Sequence, residues 1–159
     1  MNQVKETKAT AAAELSRPAL SVLFAADGSE QTMKAARFLA ALLSEGQASV
    51  RLLAVLSMGL DPSYVGRLSD AESRRARVEE ETEKAVGEVR RILEAAGQAT
   101  SVCHRFGYPP DETLREVASW KPDLVVVGRR GLGRTEGLSL GSVSTSLVRH
   151  SKVPVMVVP

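Results

Sequence analysis

Short runs of branched apolar residues alternate along the chain with longer segments in which apolar residues recur every three or four positions. The first run, "ALSVLFAAD", ends in a turn-forming tetrad from Asp27 to Glu30. Met33, Ala36 and Ala40 then follow at helical spacing. The pattern predicts a strand, a turn and a helix in that order.

A second strand and a long charged helix come next. "ASVRLLAVLSM" indicates the strand, and a polar connector containing Asp61-Pro62 separates it from a helical segment that runs from Ser69 to Ala96. The apolar stripe of that segment comprises Val78, Thr82, Ala85, Val86, Val89, Ile92, Leu93 and Ala96. Gly97, just beyond the stripe, is the predicted stop. We expect the Arg- and Glu-rich remainder to be a solvated face, with a partner-binding surface as the alternative.

Three further strands and two helices complete the pattern. "TSVCHRF" predicts a third strand, in which Cys103 is a small core residue, and "GYPP" opens the helix "DETLREVASW". We expect Trp120 to pack at the end of that helix. "PDLVVVG" is the fourth strand, "GSVSTSLVRH" the fourth helix and "VPVMVV" the fifth strand.

This alternation predicts a three-layer α/β fold. Five strands separated by four helices pair in parallel, because each helix is a crossover of the length that parallel neighbours require. The expected architecture is an open, doubly wound sheet. Ligands of such sheets bind in the crevice beyond the carboxyl ends of the strands, where the strand order reverses.

Five glycines cluster between the fourth strand and the fourth helix, at positions 128, 131, 133, 137 and 141. The first N–H groups of a helix lack partners within it and lie at the positive end of its dipole, so phosphate is matched there. Glycines allow close backbone approach, and Ser142 adds a hydroxyl. Positive charge is available from Arg129, Arg130 and Arg134. The segment predicts a phosphate site; a flexible surface loop with a glycine cap is the alternative.

Composition narrows the class of protein. The chain has 159 residues, a net charge of +2 and no apolar run near the roughly 18 residues of a membrane span. These values predict a soluble protein without an electrostatic preference for nucleic acid or acidic membranes. A single cysteine excludes an intrachain disulfide framework and suits the cytoplasm. His104 and His150 form no metal-ligand spacing with Cys103, so no metal site built from protein ligands is predicted.

Residues 1–17, "MNQVKETKATAAAELSR", are compatible with a helix, but Glu14 interrupts the alanine run before a secretory segment could form. We expect a flexible leader. An amphipathic docking helix is the alternative, although its small apolar residues would bury little area. One domain is predicted to follow, over residues 18–159.

The spacing of the glycine segment is specific. Gly128, two residues, Gly131, nine residues and Gly141-Ser142 reproduce G-x2-G-x9-G-S/T, the nucleotide-binding signature of the universal stress protein family. The tetrad "DGSE" at residues 27–30, "GYP" at 107–109 and the closing "GSVSTSLVRHSKVPVMVVP" extend the resemblance over residues 19–159. It implies the adenine nucleotide alpha hydrolase-like (HUP) fold with strand order 3-2-1-4-5. It also implies ATP, or ADP or AMP, as the ligand, with Mg²⁺ accompanying ATP.

The resemblance implies roles for individual residues. Asp27 contacts the ribose or the region of the phosphates and metal, and the backbone of Val55 reads the adenine edge. Ala25 and Ala26 border the base and ribose. The remaining predicted nucleotide contacts, chiefly backbone groups on the ribose and phosphates, are Gly128, Arg129, Gly131, Gly141, Ser142, Val143 and Ser144.

Some of these positions keep alternative interpretations. Asp27 would also serve as the N-cap of the first helix, and Val55 as an ordinary core residue. Arg129 stands where a small polar residue is frequent in the family, so its side chain either clamps a phosphate or points into solvent. Ala54 stands where many members carry His, so a contact from that imidazole is absent.

Three functions are compatible with the sequence. The first is an ATP-binding stress-response or regulatory module with slow or no hydrolysis, in which ATP orders the 129–140 loop. The second is an ATPase or autophosphorylating enzyme, with Ser142, Ser144 or Thr145 as acceptor; no catalytic base is evident for it. The third is a structural dimer that needs no ligand. The resemblance implies a homodimer through the strand Val153 to Val158; coverage of that strand by its own helices is the alternative.

Overall fold

The computed structural model describes residues 19–56, 71–132 and 140–159. The strands are β1 (Leu20–Ala26), β2 (Ala48–Leu56), β3 (Ala99–Phe106), β4 (Leu124–Gly128) and β5 (Val155–Val158). The helices are α1 (Glu30–Leu42), α2 (Ala71–Ala95), α3 (Pro109–Trp120) and α4 (Ser142–His150). The predicted leader 1–17, the connector at Asp61-Pro62 and positions 133–139 of the glycine segment lie outside the described residues. None of the described helices is long and apolar enough to cross a membrane.

The strands form one parallel sheet in the order β3-β2-β1-β4-β5. β1 pairs with β2 on one side, with Leu20 opposite Ala48, and with β4 on the other, with Val22 opposite Leu124. The strand order therefore reverses between β1 and β4. This arrangement confirms the predicted fold class and strand order, and it fixes the ligand crevice at the carboxyl ends of these two strands.

Two apolar clusters hold the helices on opposite faces of the sheet. Val22 and Phe24 of β1 are fully buried in the cluster that includes α1 and α2. Leu23, between them, is buried on the other face with Val117 of α3 and Leu147 of α4. The division follows from the alternation of side chains along a strand. Because α3 and α4 each follow a parallel strand, both begin at the carboxyl edge of the sheet.

Ser29 caps α1. Its side-chain oxygen accepts a hydrogen bond from the backbone N–H of Thr32 at 3.2 Å. Asp27, the alternative candidate for this cap, instead accepts the backbone N–H of Ser29 at 3.0 Å from outside the helix. Gly28, between Asp27 and Ser29, has φ of +77°, which glycine adopts readily. A Cβ at this position would lie 2.9 Å from the backbone carbonyl oxygen of Lys84 in α2. The cap frees the Asp27 carboxylate for other contacts.

The predicted element boundaries are close to the observed ones. α2 stops before Gly97, which has φ of +76° and donates its N–H to the carbonyl of Glu94 at 2.9 Å. α3 begins at Pro109, two residues earlier than the predicted helical run, because prolines fit a first turn whose N–H groups have no helical partner. β5 begins at Val155 rather than Val153, since Pro154 has no N–H for the ladder.

A charged network connects α3 to the sheet. Buried Glu116 accepts hydrogen bonds from Nη1 of Arg51 on β2 at 2.9 Å and from Nε of Arg105 on β3 at 2.6 Å. Burial by itself raises the pKa of Glu116, but the hydrogen bonds and charges of Arg105 and Arg51 outweigh it and hold that pKa below its ordinary value. Trp120 packs at the end of α3 as predicted, with the Arg51 guanidinium 4.1 Å from its ring centroid.

Cys103 lies on β3 on the same side of the sheet as this network. It packs against the apolar cluster under α3 and α4, as its predicted core role requires. Burial, with a smaller contribution from the Glu116 charge, raises the pKa of its thiol to about 11. The side chain is therefore a neutral thiol at physiological pH.

Candidate functional site

A cavity of about 1000 Å³ opens at the carboxyl edge of the sheet. The ends of β1, β2 and β4 form its floor, and the first turns of α3 and α4 and one side of α2 border it. This is the edge at which the strand order reverses, so the cavity lies where the doubly wound sheet predicts a ligand. Its volume is at the upper end of the roughly 300–1,000 Å³ of small-molecule sites.

The predicted nucleotide contacts come together in this cavity, with one exception. The predicted residues that line it are Ala25, Ala26, Asp27, Val55, Gly128, Gly131, Gly141, Ser142, Val143 and Ser144. Parallel pairing of β1 with both β2 and β4 brings their chain ends side by side. Arg129 is not part of the described lining, whereas the adjacent Arg130 is.

The backbone of Arg129 is a structural junction. Its N–H donates to the carbonyl of Val158 on β5 at 2.7 Å. Its carbonyl accepts the N–H of Gly141 and the hydroxyl of Ser144, each at 2.9 Å. The next residue, Arg130, lines the cavity. Of the three arginines predicted to supply positive charge, Arg130 is the one in the described lining, and Arg134 lies outside the described residues.

Both carboxylate oxygens of Asp27 accept hydrogen bonds. Oδ1 accepts the backbone N–H of Ser29 at 3.0 Å and the hydroxyl of Thr32 at 2.6 Å. Oδ2 accepts the backbone N–H of Leu132 at 3.0 Å. A carboxylate has about four lone-pair sites, so these three donors leave one for a ligand hydroxyl. Asp27 therefore connects the end of β1 to the glycine segment and still faces the cavity.

The glycines of the signature are required for different reasons. A Cβ on Gly131 would lie 2.3 Å from Oδ2 of Asp27, so a side chain there would displace that carboxylate from its present contacts or move the segment. A Cβ on Gly128 would lie 3.1 Å from the backbone carbon of Gln31, so the end of β4 packs directly on the first turn of α1. A Cβ on Gly141 would lie 3.3 Å from the Cα of Arg130, where the two sides of the segment meet.

The first turn of α4 presents N–H groups to the cavity. Gly141, its N-cap, has no side chain to bond them. Thr145 donates its N–H to the carbonyl of Gly141 at 2.9 Å, which begins the helical ladder. The N–H groups of Ser142, Val143 and Ser144 precede that bond and have no partner within the helix. They lie at the positive end of the helix dipole and can converge on an anion.

The two serines of this turn differ in their hydroxyl groups. The buried hydroxyl of Ser144 lies 2.9 Å from the carbonyl of Arg129 and 3.1 Å from that of Gly141, to which it donates. It therefore holds the two sides of the glycine segment together. The Ser142 hydroxyl makes no hydrogen bond with the described residues, so it is available to a ligand.

Some lining residues were missed by the sequence reasoning. The Thr32 hydroxyl lies inside a regular helix, although its place three residues after Ser29 is a detectable capping spacing. Lys84 lines the cavity from the charged face of α2 and pairs with Glu80 and Glu81 at 3.0 and 2.9 Å. Tyr108 also lines the cavity, whereas the sequence predicts for it only a place in the turn before α3. Apart from that spacing of Thr32, no property of these side chains distinguishes them from ordinary helix and turn residues until the chain is folded.

In the described part of the chain, no group of three or more His, Cys, Asp and Glu residues could hold a metal ion. His104 lies on β3 with its ring edge on Phe106, at a centroid distance of 5.4 Å. His150 is the last residue of α4 and borders the cavity. The structure therefore keeps the two histidines apart on separate elements.

The chain matches the model of the universal stress protein family over residues 20–159. A universal stress protein from Thermus aquaticus is 32% identical to it over 139 residues, which cover 87% of this chain and 97% of that protein. The solved structure of a universal stress protein in complex with cAMP has a TM-score of 0.63 at 23% identity, covering 89% of this chain and 98% of that one. The solved structure of a universal stress protein family protein from Arabidopsis thaliana with AMP bound has a TM-score of 0.62 at 19% identity. The match covers 87% of this chain and 90% of that one. These two structures share the fold of this chain.

Proposed function

Because the chain belongs to the universal stress protein family, we propose that the cavity at the carboxyl edge of its sheet binds an adenine nucleotide, specifically ATP. The observation that carries the proposal is the first turn of α4, where Ser142, Val143 and Ser144 line the cavity and their N–H groups precede the first hydrogen bond of the helix. A phosphate group satisfies such donors. Relatives solved with cAMP and with AMP support adenine as the base.

The residues around the cavity suggest one orientation of the nucleotide. The phosphates lie at the first turn of α4, where the Ser142 hydroxyl donates to them and Arg130 adds positive charge. The ribose lies at Asp27, whose remaining acceptor site takes a sugar hydroxyl. The base lies over the ends of β1 and β2, against Ala25 and Val55. Mg²⁺, when it accompanies ATP, is held chiefly by phosphate oxygens and water.

We expect this site to bind ATP as a regulatory ligand with slow or no hydrolysis. Hydrolysis needs a group that positions the attacking water and stabilises the transition state. Asp27 is the carboxylate nearest the glycine segment, and three protein donors already engage it. The Ser144 hydroxyl is likewise bonded to backbone carbonyls, which argues against its use as a phosphate acceptor.

The edge strand β5 supports a homodimer as part of the same proposal. The carbonyls of Pro154 and Val158 accept hydrogen bonds from the N–H groups of Val125 and Arg129, on the side of the strand that faces β4. Alternation along the strand then directs the N–H and C=O groups of Val155 and Val157 to the open edge. An uncovered apolar edge pairs readily with another chain, and antiparallel pairing with its own copy closes it.

Exposed apolar side chains also accompany this edge. Phe38 and Leu42 on α1 are 51% and 55% exposed, and Val148 on α4 is 57% exposed. Both helices pack against β5, from opposite faces of the sheet. A second copy paired on β5 would reduce the exposure of these side chains, which gives the dimer an apolar contribution.

Calorimetric titration of nucleotide-stripped protein with ATP and Mg²⁺ tests the function. We expect a dissociation constant in the micromolar range or below. We expect loss of binding in Gly141→Val, whose side chain would meet the backbone from Arg129 to Gly131 and displace that part of the glycine segment. Gly87→Ala is the matched control, because the added Cβ would meet only the flexible end of Glu83 on α2, away from the cavity. Binding by wild type and control but not by Gly141→Val supports the proposal.

Two results would contradict it. Folded wild-type protein that binds no adenine nucleotide would remove the proposed ligand and favour a dimer that needs none. Unchanged affinity in Gly141→Val would show that ATP binds elsewhere on the chain. Circular dichroism of each variant establishes that the fold is retained.

A further inference from the structure

We propose that Tyr108 forms an aromatic wall on which the base of the nucleotide stacks, and that it makes the site selective for purine nucleotides. The inference rests on the proposed nucleotide site and adds the residue that contacts the base. It concerns a turn that carries none of the glycine signature.

Tyr108 is an exposed aromatic side chain at the cavity. Six large hydrophobic residues among those described are substantially exposed, and of these only Tyr108 and Leu132 line the cavity. Tyr108 is 61% exposed. A planar ligand that covered its ring would remove apolar surface from water without requiring the protein to open.

The turn around Tyr108 holds its backbone in place. Gly107 donates its N–H to the carbonyl of Leu56 at the end of β2, at 3.1 Å. The Tyr108 carbonyl accepts the N–H of Glu112 at 3.0 Å, which starts α3. The following Pro109 restricts Tyr108 to extended backbone, with φ of −82° and ψ of 119°. A ring on a fixed backbone loses little freedom on binding, so more of the stacking energy appears as affinity.

This position is next to the end of the cavity assigned to the base. Leu56 pairs with Phe106 in the sheet, and its carbonyl anchors the turn that carries Tyr108. The preceding residue, Val55, lines the cavity at the end of β2. Tyr108 therefore belongs to the β2 and β3 side of the site, whereas the phosphate donors belong to α4 beyond β4.

The separation gives Tyr108 a distinctive effect on specificity. Bases stack on aromatic rings through their π faces, and the two fused rings of a purine overlap a tyrosine more fully than the single ring of a pyrimidine. Loss of the ring should therefore weaken ATP and GTP more than UTP. It should leave tripolyphosphate unaffected, because that ligand has no base and uses only the α4 donors.

The test is titration of wild type, Tyr108→Phe, Tyr108→Ala and Tyr108→Asn with ATP, UTP and tripolyphosphate. Asn removes the ring but is itself a preferred N-cap for α3, so it separates stacking from any effect on the helix start. We expect both ring-deleting variants to bind ATP about tenfold more weakly or worse, in line with the loss of one base–aromatic stack. Tyr108→Phe should bind like wild type, and tripolyphosphate affinity should be the same in all four proteins.

Phe38→Ala is the control for loss of an exposed ring, since Phe38 is 51% exposed and does not line the cavity. Unchanged ATP affinity in Tyr108→Ala and Tyr108→Asn would overturn the inference, and so would a parallel loss of tripolyphosphate binding. Either result leaves the proposed nucleotide site standing if wild type binds ATP. Wild type that binds no ATP contradicts the proposed function itself, and the inference with it.

Discussion

The carboxylate of Asp27 accepts a hydrogen bond from the backbone N–H of Leu132 at 3.0 Å, across 105 positions of the chain. The bond connects the end of β1 to the glycine segment that follows β4. It crosses the point where the strand order reverses, so it fixes one border of the cavity. Several consequences of this arrangement and of its surroundings can be measured.

Gly131→Ala should disrupt the contact between β1 and the glycine segment. The added Cβ would lie 2.3 Å from Oδ2 of Asp27, so the carboxylate or the segment must move. Because hydrogen bonds to charged groups contribute about 1.5–3 kcal/mol, we expect urea unfolding to show a loss of about 1–2 kcal/mol and ATP titration to show at least tenfold weaker binding. Stability and affinity equal to those of Gly87→Ala would show that Gly131 is replaceable.

Ser142→Ala and Ser144→Ala should have opposite effects on stability and binding. Ser144→Ala removes a buried hydroxyl that bonds to the carbonyls of Arg129 and Gly141, so we expect its free energy of unfolding to fall by about 1 kcal/mol. Ser142→Ala removes a hydroxyl that bonds to no described residue, so we expect unchanged stability and weaker ATP binding. Chemical denaturation and calorimetry of the pair distinguish the two roles, and a stability loss confined to Ser142→Ala would contradict them.

Glu116→Gln should lower stability in a pH-dependent way. It removes the carboxylate that Arg51 and Arg105 share, although Arg105 keeps Glu112 at 3.8 Å. We expect a loss of about 2 kcal/mol at pH 7, because Glu116 is buried but both arginines are about one-third exposed. Since the folded-state pKa of Glu116 is lowered, its stabilisation is fully present above the unfolded pKa of about 4.3 and is lost as pH falls through the folded pKa. Wild type and variant should therefore converge in urea titrations at acid pH. A constant difference between them from pH 7 to acid pH would rule out this ionic role.

The thiol of Cys103 should react slowly in the folded protein. Its pKa of about 11 leaves a thiolate fraction at pH 8 about a hundredfold below that of an ordinary cysteine. Because the chain has one cysteine, a colorimetric disulfide reagent reports on it alone. We expect rapid labelling in guanidinium chloride and at least tenfold slower labelling without it. Equal rates in the two conditions would show that burial does not control this thiol.

Val155→Lys should prevent the proposed dimer. The substitution places a charge on the open edge strand β5, and two-fold pairing would bring the charges of both copies close together. Light scattering should give the mass of a dimer for wild type and of a monomer for the variant. Val102→Lys is the control for a charge at the opposite edge of the sheet, on β3. Because Val155 also packs partly on the cluster under α3 and α4, circular dichroism must show that the monomeric variant is folded. A monomeric wild type, or a monomeric control, would contradict the assignment of the interface to β5.

The glycine segment shows how far sequence reasoning reaches into the site. The spacing of Gly128, Gly131 and Gly141 located the phosphate-binding candidate between β4 and α4, and the structure places all three in the cavity lining. A Cβ at each of the three positions would meet a different part of the chain, so each glycine accommodates a different close contact. Those neighbours are distant in sequence, so no local pattern identifies them. The place of Arg130 in the described lining likewise depends on contacts distant in sequence, such as the hydrogen bond from the N–H of the adjacent Arg129 to the carbonyl of Val158.

The sequence alone determined the order and type of the elements, the parallel sheet and the position of the glycine segment for which we propose an anion. These properties depend on hydrophobic periodicity, on the length of crossovers and on glycine spacing, all of which are local or nearly local in the chain. Only the tertiary structure decided that Asp27 bonds to Leu132, that Ser29 rather than Asp27 caps α1, and that Tyr108 borders the cavity. Each of these contacts depends on how strand ends align across the sheet, and that alignment results from packing of the whole chain rather than from any segment of it.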